Sequence, residues 1–480
     1  MGHTQEKPAS GGMNISVKSF ITAIAMLAAL MVLTYVLTFF VPAGTFERTE
    51  LDGQMAVLPG TYHAVEGGIP FWKWLLSPIL VLFSEGNVTI IAILVFLFVI
   101  GGVFHCLDES GLMRYMLGRI VRAFRHRRYQ LICIVTLFFM AMGTLVGSFE
   151  ECVPLVPIAA ALAASMGWDA MVGLGMSLLA IGCGFATGIC NPFTVGVAQQ
   201  LAGLPMFSGA LWRAGAFAVL YPCLCLFLVS YAKKIEARPE KGALAGLAPG
   251  VQAPEAGQAF VRDRGMDKGL ALFAGILGAG ILLIFSSSFI PALQGVLLPL
   301  VAVIFLVAGL AASIACGLRG KKLAGFFRDG AVSLVPAVAL ILMASSVRYT
   351  LEQAHILDTV LNAATQLTQH MPKGATALFL YALVLVMNFF ISSGSAKAFL
   401  LMPLITPIAD LCGLSRQVSI LAFAFGDGFS NVFYFTNPVL LISLGLVGVG
   451  YGAWARWSGK FQLIILAVTG GILLLASAVM

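Results

Sequence analysis

Long apolar stretches with at most one charged residue recur along this sequence of 480 residues, as at 20–40, 87–107 and 211–231. A stretch of roughly 20 apolar residues is long enough to cross the hydrocarbon core of a bilayer. The composition agrees, because 60% of the residues are hydrophobic and 10% are charged, whereas soluble proteins are about a quarter charged. The sequence therefore predicts an all-α polytopic membrane protein surrounded mainly by lipid.

The apolar runs predict nine crossings and two segments that enter and leave on the same side. The crossings are expected at about 19–41, 87–107, 170–203, 211–231, 269–290, 293–317, 330–350, 415–450 and 462–479. The two re-entrant helical hairpins are expected at about 129–166 and 374–411.

Basic residues are concentrated between the apolar runs, at 114–128, 233–268 and 319–328. Short cytoplasmic loops of membrane proteins carry an excess of Lys and Arg. This distribution predicts a cytoplasmic N-terminus, with residues 1–18 as a cytoplasmic tail. It also accounts for the formal net charge of +7 without a nucleic-acid partner.

The second half of the sequence repeats the first at a fixed distance. An Asn-Pro pair stands at 191–192 and again at 437–438, a shift of 437 − 191 = 246 positions, and the same shift carries Gly182 to Gly428. One extra span between the copies would start the second copy from the opposite side, so we expect two inverted repeats. The predicted units are a first repeat at 19–231 with its broken helix at 170–203, a cytoplasmic linker and extra span at 232–292, and a second repeat at 293–480 with its broken helix at 415–450.

Each Asn-Pro pair interrupts a run that would otherwise form one continuous membrane helix. Proline removes a backbone donor and clashes with the preceding turn, and glycine eases the opening. The predicted helix-breaking residues are Gly188, Pro192, Gly428 and Pro438. Irregular backbone at membrane depth is tolerated where it lines a cavity, and half-helix ends can hold ions and charged groups. A packing kink is the alternative, but two breaks at repeat-equivalent positions favour a binding site.

The predicted hairpin tips carry further polar residues, in "GTLVGSFEECVP" and in "NFFISSGSAKAF". The 246-residue shift aligns Glu151 with Lys397, so the two tips would bring opposite charges together; a structural ion pair between them is the alternative. Ionisable groups within membrane segments mark substrate or ion paths by default. The predicted substrate-binding residues are Ser148, Glu150, Glu151, Asn191, Ser393, Ser395, Lys397 and Asn437.

Oxygen-bearing side chains at the breaks predict a site for a coupling ion, either Na⁺ or H⁺. The candidates are Thr187, Asn191, Asp427, Asn431, Thr436 and Asn437. No cofactor and no other metal is expected, because the nine cysteines show no metal-ligand spacing. The combined groups suit a small polar solute. An amino acid would match both charges, whereas a carboxylate would use Lys397 and the half-helix dipoles.

A secondary transporter is favoured over a channel, a pump or an enzyme. The sequence contains no Gly-x-x-x-x-Gly-Lys-[Ser/Thr] phosphate-binding loop and no His-Glu-x-x-His or Gly-x-Ser-x-Gly motif. A Ser-x-x-Lys nucleophile site ending at Lys397 would need serine at position 394, which is glycine. We therefore predict no enzyme activity.

The segments "GSFEECVPLVP", "CNPF" and "LSRQVSILAFAFGDGFSNVFYFTNP" resemble the YfcC-like members of the DcuC-type C4-dicarboxylate and basic amino-acid carriers, part of the ion transporter superfamily. The resemblance implies a bacterial inner-membrane carrier of the elevator type. Hairpin tips and broken helices would move together against a scaffold, and the carrier would be a homodimer. It also implies basic amino acid uptake or exchange, with Na⁺- or H⁺-coupled C4-dicarboxylate transport as the alternative. The Ser-Asn-Thr tip motifs common in that superfamily are replaced here by residues 148–150 and 393–395, so its carboxylate-binding chemistry is not transferred.

Overall fold

The computed structural model describes residues 17–51, 54–84, 87–124, 127–147, 149–205, 207–244, 263–287, 297–368 and 371–480. These residues are mostly helical, as the sequence predicts. The helices of the first half are α1 (Val17–Phe40), α2 (Phe71–Leu75), α3 (Ser77–Leu80), α4 (Asn87–Glu109), α5 (Leu112–Phe124), α6 (Arg128–Leu145), α7 (Val156–Ser165), α8 (Ala170–Leu174), α9 (Ala180–Thr187), α10 (Val197–Leu201) and α11 (Ala210–Ala237).

The second half continues with ten helices among the described residues. They are α12 (Arg264–Ser287), α13 (Leu297–Ala315), α14 (Gly320–Val332), α15 (Val335–Gln353), α16 (Ile356–Leu367), α17 (Lys373–Phe390), α18 (Gly394–Leu411), α19 (Arg416–Gly428), α20 (Pro438–Val447) and α21 (Tyr451–Val479). Helices α6 and α7 occupy the residues of the first predicted hairpin, and α17 and α18 occupy those of the second.

Seven helical segments within the described ranges are long and apolar enough to cross a membrane. They are Ile90–Glu109, Arg128–Leu145, Ala170–Thr187, Ala210–Ala237, Lys373–Phe390, Gly394–Leu411 and Tyr451–Val479. Both arms of the second predicted hairpin belong to this set, so their length is compatible with a full crossing as well as with a re-entrant hairpin.

Four short strands lie between α1 and α2. β1 (Gly44–Thr45) pairs antiparallel with β4 (His63–Ala64), and β2 (Arg48–Leu51) pairs antiparallel with β3 (Gln54–Val57). The β2–β3 pair flanks the Asp52-Gly53 dipeptide at which a hairpin turn is predicted; the dipeptide itself lies outside the described residues. The segment is tied to α16 by Asp358, which accepts hydrogen bonds from the Phe46 amide and the Arg48 guanidinium.

Helix α11 continues six residues past the end predicted for the first repeat, to Ala237. The extension is held by Glu236, whose carboxylate accepts hydrogen bonds from Trp168 Nε1 and the Tyr129 hydroxyl, both at 2.6 Å. Composition alone placed these charged residues in a linker, because it does not show that they have partners elsewhere in the chain.

Helices α9 and α19 pack against each other in the buried core. A Cβ atom built on Gly182 of α9 would lie 2.8 Å from Val432 Cγ1, in the turn that follows α19. Only a residue without a side chain allows this approach. The close crossing places the ends of both helices beside one another.

Candidate functional site

The first interruption begins where α9 ends. Gly188 follows Thr187 with φ +46°, in the left-handed region that favours glycine. A Cβ atom at this position would also lie 2.6 Å from Val195 Cγ2. The chain then resumes as a π-helical turn at Pro192–Gly196, ahead of α10, and π-type turns inside helices are frequent at functional sites.

Asn191 organises the restart of this helix. Its side-chain Oδ1 accepts a hydrogen bond from the Thr194 amide at 3.1 Å, and its carbonyl accepts one from the Gly196 amide at 2.9 Å. The segment that follows α6 lies directly against it, because a Cβ atom on Gly147 would fall 2.0 Å from Asn191 Cγ. Asn191 is therefore buried where the end of α6 meets the first helix break.

Thr144, at the end of α6, binds this helix to the same break. Its hydroxyl lies 2.8 Å from the Thr187 hydroxyl and accepts a hydrogen bond from the Ile189 amide at 2.9 Å. Thr187 in turn donates to the Gly184 carbonyl at 2.7 Å. These bonds use the polar groups of Thr187 within the protein, so its first role is to shape the interruption.

The second interruption begins at Gly428, the last residue of α19, and ends at Asn437. Asn437 is the N-cap of α20: its Oδ1 accepts a hydrogen bond from the Val439 amide at 2.9 Å, and Pro438 takes the first helical position. Thr436 donates to the Phe389 carbonyl at 2.5 Å, which ties the break to the end of α17. The two Asn-Pro pairs thus serve the same local purpose, as start signals for the second half of a broken helix.

A buried ion pair lies at the second interruption. Lys397 Nζ, in the first turn of α18, is 2.5 Å from Asp427 Oδ1, and the two side chains are 0% and 1% exposed. Lys397 also donates to Asn388 Oδ1. Removing two charges from water is expensive, and a pair of this kind persists only if hydrogen bonds satisfy the remaining polar atoms.

Amides and a hydroxyl supply most of those bonds. Asn388 Nδ2 donates to Ser430 Oγ at 2.6 Å and to Asn431 Oδ1 at 3.1 Å. Asn431 Nδ2 donates to the Asp427 carbonyl at 2.5 Å, and Asn437 Nδ2 donates to Asn431 Oδ1 at 2.9 Å. The result is one continuous buried network, which we call the Lys397–Asp427 network and which comprises Asn388, Lys397, Asp427, Ser430, Asn431 and Asn437.

One carboxylate oxygen of this network differs from its other polar atoms. Asp427 Oδ2 is buried and has no hydrogen-bond partner among the described residues. It faces the start of α18 and the first broken helix: a Cβ atom on Gly394 would lie 2.8 Å from Asp427 Oδ2 and 2.3 Å from Thr194 Cγ2. A carboxylate oxygen without a partner is a strong acceptor for a cation or a proton.

The structure brings some of the predicted residues together and leaves others apart. Asp427, Asn431, Asn437 and Lys397 share one network, whereas Thr187 and Asn191 lie at the first break and Thr436 bonds to the backbone of α17. Ser393 and Ser395 are half-buried at the start of α18, and the Ser393 side chain does not cap that helix. Ser148 and the side chains of Glu150 and Glu151 lie outside the described residues, so the predicted Glu151–Lys397 relationship stays a prediction.

Four contributors were missing from the predicted site residues: Thr144, Thr194, Asn388 and Ser430. Asn388 had a detectable signal, since it is an amide near the end of an apolar run, where polar residues are unusual. Arg213 is a further polar residue beside the first break that was not among the predicted site residues. It is 1% exposed and donates to the carbonyls of Ser208, at 2.9 Å, and Ile189, at 3.3 Å.

Two cavities lie away from these breaks. One, of about 410 Å³, is lined by Tyr62, Asn362, Gln366 and Leu404 among others, between the strand segment, α16 and α18. Another, of about 420 Å³, is a shallow depression around Tyr129 and Val229. Within the described part of the chain, no group of three or more His, Cys, Asp or Glu residues could hold a metal ion.

Comparison with known proteins shows which proteins this chain is similar to. A protein of Escherichia coli (strain K12) named "Putative basic amino acid antiporter YfcC" is 28% identical over 408 residues, which cover 82% of this chain and 78% of that protein. An uncharacterized protein of Haemophilus influenzae is 26% identical over 428 residues, covering 88% and 80%. The solved structure of Neisseria gonorrhoeae MtrF, presented as one of a class of antimetabolite efflux pumps, covers 95% of each chain with 15% identity and a TM-score of 0.46.

The family described as "DcuC: C4-dicarboxylate anaerobic carrier" matches residues 20–478, which is nearly the whole chain and confirms the resemblance carried by the hairpin and broken-helix segments. With its apolar helices and its two interrupted ones, this chain belongs to the DcuC family of membrane transporters.

Proposed function

We propose that this protein is a secondary active transporter that moves a basic amino acid across the bacterial inner membrane by alternating access, by uptake or exchange. The observation that carries the proposal is the buried Asp427 carboxylate, one oxygen of which has no partner among the described residues. It lies between a hairpin tip and a broken helix, where a transported cationic group would be enclosed by protein. A coupling Na⁺ or H⁺ would compete for the same oxygen.

The state of Lys397 also favours a cationic solute. A carboxylate solute was expected to use the Lys397 ammonium, but that ammonium is already bound by Asp427 Oδ1 and Asn388 Oδ1. The Lys397–Asp427 pair carries no net charge, so the partnerless oxygen is the part of the network that attracts a charged ligand.

Inverted repeats with an elevator-like motion form part of the proposal. In support, a shift of 246 positions carries Gly182 forward to Gly428 and Val432 back to Ala186. Both contacts, Gly182 with Val432 and Gly428 with Ala186, are present. A two-fold axis between the copies would produce such a pair of equivalent contacts. We propose that residues 129–203 and 374–450 move together against the remaining residues, with the N-terminus in the cytoplasm.

A carboxylate solute is the second candidate, favoured by Arg213. Its guanidinium is buried beside the first break and, within the described residues, bonds only carbonyl oxygens and forms no ion pair. A buried guanidinium suits a carboxylate, which it can bind through two parallel hydrogen bonds. The same contacts also have a purely structural explanation. The guanidinium lies at the C-terminal end of α9, where helix carbonyls carry partial negative charge.

Transport by purified protein in liposomes separates the two candidates. Liposomes loaded with arginine or ornithine are offered labelled arginine, and the measurement is repeated with succinate under Na⁺ or pH gradients. We expect arginine exchange, lost in Asp427→Asn but retained in the exposed control Asp329→Asn. Succinate uptake without arginine flux would support a carboxylate as the transported solute. In that case the uptake should be abolished in Arg213→Met.

A further inference from the structure

We propose that Lys397 is an internal substitute for the transported cation: when the site is empty, its ammonium occupies the cation position on Asp427, and cation binding requires its release. This inference rests on the proposed function, because it assigns the Lys397–Asp427 pair a role in the return of the empty carrier. It also changes the role predicted for Lys397 from binding the solute to competing with it.

The geometry of the pair suggests the competition. Lys397 Nζ lies 2.5 Å from Asp427 Oδ1, and both side chains are buried. The other oxygen of the same carboxylate has no described partner and lies on the side of Gly394 and Thr194. A cation that approaches from that side therefore meets a carboxylate whose charge is already compensated by the lysine.

The surroundings allow Lys397 to exchange partners without leaving its place in the fold. It sits in the first turn of α18, and Asn388 Oδ1 is a second acceptor for its ammonium. When a cation binds Asp427, the ammonium would keep that amide bond. Among the described members of the network, Lys397 and Asp427 carry the only charges, since Asn388, Ser430, Asn431 and Asn437 are neutral at every physiological pH.

The consequence concerns the kind of transport that is allowed. An empty carrier with the pair intact moves a neutral network through the membrane, so it can return unloaded and support net flux. Without the ammonium, the empty carrier would have to move an uncompensated buried carboxylate, which is strongly unfavourable. Exchange, in which a cation is always bound, would remain.

Thermal unfolding tests the cation position without any need for transport. The midpoint is measured in detergent at pH 8.5, in choline chloride and after replacement by sodium chloride or arginine. We expect Na⁺ or arginine to raise the midpoint of Lys397→Met by about 3 °C or more. The wild type and the exposed control Lys373→Met should respond less than Lys397→Met, because the cation must first displace the ammonium, and the double variant Lys397→Met/Asp427→Asn should not respond. If the Met variant is not recovered folded, Lys397→Gln replaces it, since its amide can still bond to Asn388.

Arginine flux supplies the second readout. We expect exchange by Lys397→Met to stay within a few-fold of the wild type, while net efflux into arginine-free buffer falls about tenfold or more. A Lys397→Met or Lys397→Gln protein whose midpoint ignores both cations, or whose exchange and net efflux fall together, would overturn the inference. Absence of arginine flux in the wild type contradicts the proposed solute instead, and the Na⁺ response then decides the inference alone.

Discussion

Gly428 lies against the backbone of Ala186: a Cβ atom at position 428 would be 2.1 Å from the Ala186 Cα and 2.3 Å from its nitrogen. The obstacle is main chain, which cannot rotate away as a flexible side chain would. The two broken helices therefore approach as closely as two backbones can, and this contact fixes where the ends of α9 and α19 meet. The position of the Lys397–Asp427 network depends on it, because Asp427 is the adjacent residue.

We predict that Gly428→Ala will destabilise the protein and reduce transport, because the added methyl group must push α19 away from α9. Overpacking of this kind typically costs about 1–3 kcal/mol, and here the displaced element carries Asp427. Gly471→Ala in α21 is the matched control, since a Cβ atom there would meet nothing within 4 Å. The midpoint of thermal unfolding and the rate of arginine exchange should fall for Gly428→Ala only. Unchanged transport in Gly428→Ala would show that the crossing tolerates a wider spacing.

The location of the breaks could be predicted from the sequence because their cause is local. Asn437 and Pro438 act through their own backbone and side-chain preferences, so the dipeptide by itself marks the start of α20. The presence of long apolar helices could be predicted for the same reason, but their ends could not, since α11 continues to Ala237 and α21 begins at Tyr451.

The partner of Lys397 could not be predicted in this way. The structure pairs Lys397 with Asp427, 30 positions along the chain, a relationship that the 246-residue shift does not indicate; the shift aligns Lys397 with Glu151, whose side chain lies outside the described residues. Which carboxylate meets the ammonium depends on how α18 and α19 are rotated about their axes, and that rotation follows from packing over the whole core. The contacts of Arg213 could not be predicted for the same reason, since only the fold shows that its side chain reaches back to Ile189.

The strand segment gives a test of a buried anchor outside the helices. Asp358 is buried and binds the Phe46 amide and Arg48, which is 34% exposed. We expect Asp358→Ala to lower stability by about 1–3 kcal/mol, mainly through the amide left without a partner, and to speed proteolysis of residues 44–64. The exposed Arg328–Asp329 pair is the control, with about 0–1 kcal/mol expected for Asp329→Ala. Equal effects of the two substitutions would contradict the anchoring role.

Asn437 combines a cap with a place in the buried network, and the two roles can be separated. Asn437→Ala should lose about 0.5–2 kcal/mol as an N-cap substitution and should also lose most transport, because Asn431 loses a donor beside Asp427. Ser415→Ala removes the N-cap of α19, which accepts from the Gln417 amide at 3.3 Å, away from the network. It should lose stability without a comparable loss of arginine exchange. Similar exchange rates in the two variants would mean that Asn437 is only a cap.

A double-mutant cycle on the buried pair should show strong coupling. Removal of one partner leaves an uncompensated charge in the interior and typically costs about 3–5 kcal/mol, whereas removal of both is often close to neutral. Lys397→Met and Asp427→Asn should therefore each destabilise the protein far more than the double variant does, as measured by unfolding in denaturant. The half-exposed pair Arg416–Asp410, also in close contact at 2.6 Å, provides the reference cycle, with about 0.2–1 kcal/mol of coupling expected. Additive effects at 397 and 427 would mean that water or another charge already compensates each residue, and that the ammonium does not hold the cation position on Asp427.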